Sequence, residues 1–185
     1  MPDYARLHEQ SLAAVPQFDA DARETFAFLE LTYGYHFHGS RLDSADDVRD
    51  ANARVLYLGP AVEVEIYWYF STAGLGVAFA QTPAPWTSPQ RRVFFGDLKD
   101  AMPAARLYTL AEMRGHADDA AFLLGDTDRV DGRSINARVK VVQANLRGVL
   151  DGLAVATERY AADILRGDTA PLAEAMRSYT LTLGR

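Results

Sequence analysis

Two histidines one residue apart, His36 and His38, form the one H-x-H in the chain. On an extended segment both imidazoles project from one face, as a two-histidine metal site requires, and Asp43 is a candidate third ligand. Equally, Tyr35, Phe37 and the two histidines make an ordinary strand or loop at the end of a helix. His8 and His116, the remaining imidazoles, have no ligand spacing to the pair. Glu63 and Glu65 share one face of a strand and are in principle an acid and a base, although carboxylates opposite a core face are also what the solvated side of a sheet carries. Tyr67 and Tyr69 continue that face. Glu63, Glu65, Tyr67 and Tyr69 together are acidic and aromatic, the composition of a partner-binding surface and also of a sheet face covered by a helix.

The usual catalytic equipment does not come together in the sequence. No serine sits in a Gly-x-Ser-x-Gly elbow, and no glycine-rich phosphate loop follows a strand. Gly74-x-Gly76 lies in a hairpin and lacks the helix that would supply an anion site. With no cysteine in the chain, disulfides, thiolate nucleophiles and cysteine-ligated metal centres are excluded. The expectation is therefore a non-enzymatic binding domain with no catalytic residue, metal or cofactor. The alternative is a small metal-dependent enzyme using His36 and His38, with Asp43 or Glu63 in support.

The net charge of −6 argues against a broad nucleic-acid surface, since such affinity comes from clustered Lys and Arg, and only Arg91 and Arg92 are adjacent. A basic protein is the complementary partner. Residues 1–15 carry Asp3, Arg6 and Glu9 and lack the apolar run of a signal peptide, and no later segment approaches the roughly 20 apolar residues of a membrane span. A cytoplasmic location is expected.

These residues need elements to hold them. Tyr4, Leu7, Leu12 and Val15 predict a short helix ended by Pro16. Asp21 and Glu24 have capping-box spacing for a second helix carrying Phe26, Leu29 and Tyr33, with Gly34 as its stop. Gly39 to Asn52 is polar and acidic and reads as a surface loop or a frayed helical turn. Arg54 to Leu58, the alternating Val62 to Phe70 and Leu75 to Ala80 predict three strands joined by short turns, hence an antiparallel meander, and Val93 to Phe95 one more short strand. From Ile135 to Ile164 apolar residues step by fours and threes, predicting one helix of about 45 Å at 1.5 Å per residue, in which Gly148 and Gly152 imply a close backbone approach. Gly167 ends it, and a last helix runs from Pro171 to Leu181. The stripe on the long helix fits either an intramolecular core or a homodimer seam of Leu146, Val149 and Leu153.

The fold class expected is α+β: a short antiparallel β-meander packed against an N-terminal helix and a long C-terminal helix pair, one domain over residues 1–185, with residues 83–133 reading as an insertion. Phe26-Ala27-Phe28-Leu29-Glu30 leading to Tyr33-Gly34-Tyr35, then Val55-Leu56-Tyr57 before Val62-Glu63-Val64-Glu65-Ile66-Tyr67, then Tyr160 to Asp168, resembles a loose set of small bacterial proteins, some placed among immunity proteins of polymorphic toxin systems. The resemblance implies an α+β domain without an active site that binds and blocks a toxin.

Overall fold

The computed structural model describes residues 4–43, 51–60, 62–70, 74–81, 94–97 and 146–170. Strand β3 (Val62–Tyr69) shows most directly why the sheet forms. Val62, Val64, Ile66 and Trp68 are buried at every second position, as a pleated strand with one apolar face demands. Around it lie β2 (Asn52–Leu58) and β4 (Gly74–Gln81), with β1 (His36–Asp43) and β5 (Phe94–Asp97) outside them, in the order β1-β2-β3-β4-β5. Every neighbouring pair is antiparallel, as expected for β2, β3 and β4 from their short connections.

The meander is longer than expected at its start. Residues from Gly39 to Asp43 read as loop from their polarity, yet they pair with Asn52 to Leu56 as the second half of β1. A two-sided polar strand shows no alternation in sequence, so only the partner strand reveals it. At the other end, Phe94–Asp97 pairs with β4 and so brings part of the 83–133 segment into the sheet.

Helix α1 spans Tyr4–Thr25 without stopping at Pro16. The proline removes one helical hydrogen bond at a cost of about 3 kcal/mol. Phe18 and Phe26, both buried beyond it, contribute about 1.5–3 kcal/mol each, which is enough to carry the helix through. Asp21 is therefore inside a helix, where its carboxylate accepts from Gln17 at 2.8 Å, and does not cap one. After a turn, α2 (Phe28–Tyr33) ends at Gly34, whose φ of 71° and N–H bond to the Leu29 carbonyl make the expected glycine stop.

Helix α3 (Leu146–Tyr160) packs on α1 and β4, burying Val149, Leu150, Leu153, Ala154 and Thr157. The predicted uninterrupted helix is broken at Ala161 before α4 (Ala162–Leu165), which still buries Ile164 and Leu165. The Tyr35 hydroxyl donates to the Leu165 carbonyl at 3.3 Å and ties α4 to the end of α2. The close approach expected at Gly152 is not found among the described residues, where a Cβ would meet nothing within 4 Å. Residues 134–145 and the helix expected from Pro171 to Leu181 lie outside the described residues.

The core is one cluster between the inner face of the sheet and α1, α2, α3 and α4. Trp68 is its largest member, 5.7 Å from Phe18 and 5.0 Å from Phe70 between ring centroids. Among the described residues its indole N–H has no hydrogen-bond partner, which costs about 1–3 kcal/mol. Burying roughly 150–250 Å² of aromatic surface at about 25 cal/mol per Å² outweighs that.

Candidate functional site

The outer face of the sheet is built by the other parity of the same strands. Asn52, Arg54 and Leu56 of β2 stand between Asp43, Arg41 and Gly39 of β1 and Tyr69, Tyr67 and Glu65 of β3. Arg41 is directly opposite Arg54, a repulsive pairing unless an anion is shared. Asp43 is that anion. It pairs with Arg41 and, at 2.9 Å, with the Arg54 Nε. Arg54 then reaches across to Glu65, its Nη1 lying 3.0 and 3.3 Å from the two carboxylate oxygens, while its Nε donates to the Asn52 side-chain oxygen. A partly buried chain of alternating charge thus crosses three strands and fixes their side chains.

Tyr67 and Tyr69 extend this face, their rings 5.0 Å apart. Tyr67 lies across Gly76 of β4, its register partner, so that a methyl group at position 76 would run into the phenol. That is the use of Gly76: the Tyr67 ring needs a bare backbone beside it.

The four residues singled out as a partner surface therefore do share one face, but they are not equally open. Glu63 is 3% exposed and Glu65 is turned onto Arg54, whereas Tyr69 is 40% exposed. The expectation of an open acidic strip is corrected in this respect: Glu65 is held by the Arg54 guanidinium, and Glu63 is buried in the sheet. Arg54 and Arg41 were missed in the sequence. The parity of β2, which puts Asn52, Arg54 and Leu56 on the side away from Ala53, Val55 and Tyr57, is the signal that places Arg54.

His36 and His38 do not make the simple pair that strand alternation predicts. Phe37 is opposite Tyr57 and Gly39 is opposite Leu56, so His38 is the extra residue of a β-bulge. Asp43, the candidate third ligand, is held between two arginines. Among the described residues no three imidazole or carboxylate groups gather as a metal site would. His38 instead lines a groove of about 280 Å³ on the outer face, with Gly39, Ser40, Arg41, Arg54 and Leu56. A second groove of about 290 Å³ lies on the helical side of the same strands, between α1 and the β1–β2 hairpin, and its apolar lining includes Val15, Pro16, Phe18, Leu42 and Val55.

Among the described residues no helix is long and apolar enough to cross a membrane. Compared with family models, with curated proteins and with solved structures, the chain matches none.

Proposed function

We propose that this chain is a non-enzymatic binding protein of the immunity type, which uses the outer face of its sheet to hold and block a basic protein toxin in the cytoplasm. Tyr69 carries the reading. It is a large ring left 40% exposed, packed on Tyr67 and beside the ordered Asp43–Arg54–Glu65 chain. Aromatic rings held rigidly at the centre of a patch carry most of the energy in protein interfaces, since little side-chain entropy is lost when they are covered. The acidic net charge favours encounter with a cationic partner.

Affinity capture from the native cell tests this reading, with the full chain and its Tyr69→Ala variant as baits. A basic protein recovered in stoichiometric amount by the first, and weakened by about thirtyfold in affinity for the second, is the expected result. Recovery of no such partner, or equal binding by both baits, would overturn it.

A further inference from the structure

The two grooves flank one strand, and that strand ends the sheet. Among the described residues nothing pairs with the outer side of β1. At its beginning the Phe37 N–H donates to the Glu30 carboxylate at 3.2 Å, which closes that end of the edge. From Gly39 to Asp43 alternate N–H and C=O groups face away from β2, the template on which a further strand forms. Side chains of an added strand would point alternately to the two faces of the sheet. One face there offers the groove walled by Val15, Pro16, Phe18 and Val55, with Leu42 at 44% exposure on its rim; Asp19 also lines it, and Ser40, Arg41 and Arg54 form a wall it shares with the groove on the other face. The other offers the groove at His38, Arg41 and Arg54, whose ionisable lining among the described residues is entirely basic. The Arg41 side chain is 66% exposed there, and the Asp43 carboxylate that it pairs with is shared with Arg54.

We propose that the edge of β1 is a docking site for an extended segment of a partner protein in which apolar and acidic side chains alternate. The segment adds as a sixth strand, its main chain bonded to Gly39–Asp43. An apolar side chain enters the groove beside α1, and the neighbouring carboxylate meets Arg41 on the outer face. Main-chain bonding supplies affinity and the two unlike grooves supply the preference, as in other cases of strand addition. The site is separate from Tyr69 and does not depend on the reading of the outer face as a toxin-binding surface.

A displayed library of random peptides as long as β1, eight residues, selected on the full chain, tests the proposal. The expected result is enrichment of peptides alternating apolar and acidic residues, slowed amide exchange over residues 39–43 in their presence, and binding about tenfold weaker to Arg41→Glu. Selection repeated on Arg41→Glu, with a melting curve to show that it folds, should turn the enriched charge from acidic to basic. Leu42→Lys, at the rim of the other groove, should weaken the apolar preference and leave the acidic one. The proposal is overturned if no peptide is enriched, if enriched peptides bind the Arg41→Glu chain as well, or if exchange over residues 39–43 is unchanged. The absence of enriched peptides, or unchanged exchange, would identify the bulge and Arg41 as devices that keep the edge from pairing.

Discussion

Gly152 and Tyr57 show how single residues in this fold depart from what their types suggest. Glycine inside a helix usually marks a close neighbour, but at Gly152 there is none among the described residues within 4 Å of an added methyl group. Gly152→Ala is therefore expected to raise stability by about 1 kcal/mol, the helix propensity difference, measured by urea denaturation. Tyr57 is wholly buried, its hydroxyl reaching the Arg23 carbonyl at 3.4 Å. Burial first, and the Glu30 carboxylate second, push its ionisation from 10.0 up to about 12, and burial pushes Tyr35 the same way. A phenol that keeps its proton longer when folded than when unfolded gives stability that is complete below 10 and is lost as pH rises towards 12. Melting curves taken across that alkaline range should fall for the natural chain and fall less steeply for Tyr57→Phe. A Tyr57→Phe limb as steep as the original would assign the alkaline loss to other groups.

Helices α1 and α3 are joined by one arginine. Arg147 bonds Glu24 at 2.8 Å and Asp151 at 3.0 Å, with Asp21 at 3.6 Å, and the Thr25 hydroxyl donates to Asp151. The hydrogen bond and charge of Arg147 hold the Glu24 carboxyl below its ordinary 4.5, so this contribution is present above that value and is lost as pH falls. Glu24 and Asp151 are exposed and only Asp21 is buried, so the effect should be small and screened by salt. Arg147→Ala is expected to lower the melting temperature modestly at neutral pH in low salt, and the difference should vanish both in molar salt and in acid. Persistence in molar salt would point to lost packing of the arginine stem.

Elements also differ in how far they can be read from sequence. β3 and the stop at Gly34 were legible because alternation and a glycine C-cap are local signals. The second half of β1 was not, because a polar edge strand has no pattern of its own and is defined by Asn52–Leu56 across from it. Pro16 misled for a related reason: the proline is local, whereas the burial of Phe18 and Phe26 that overrides it is tertiary. At the outer face, Glu63, Glu65, Tyr67 and Tyr69 could be assigned one side of a strand by parity, but Asp43 and Arg41 come from a neighbouring strand whose register no short motif encodes.

At the scale of the whole molecule, the stripe on α3 is buried against the chain's own sheet and α1. Val149, Leu150 and Leu153 are each at most 3% exposed within one copy of the chain. Leu153→Asp should therefore unfold the protein, since a buried unpaired carboxylate costs several kcal/mol against a total of about 5–15. Light scattering with a thermal melt reads the outcome. A folded monomer obtained from a dimeric parent would instead assign that residue to a seam between two copies.

The order β1-β2-β3-β4-β5 is also the order of synthesis, and this has a consequence in time. Successive strands of the sheet are separated by at most 12 residues of sequence (82–93), whereas Thr25 and Asp151 meet across 126 residues. Closing a long loop costs more entropy than closing a short one, so hairpins should zip before α3 docks. Shortening Ile66 to valine should then slow refolding, and Leu150→Ala should chiefly hasten unfolding, as stopped-flow measurements would show. Equal effects of both changes on the refolding rate would mean that the distant helix is already in place at the barrier. The late arrival of α3 leaves the inner face of a nearly finished sheet, with Val64, Ile66 and Phe79, briefly bare to other chains during folding.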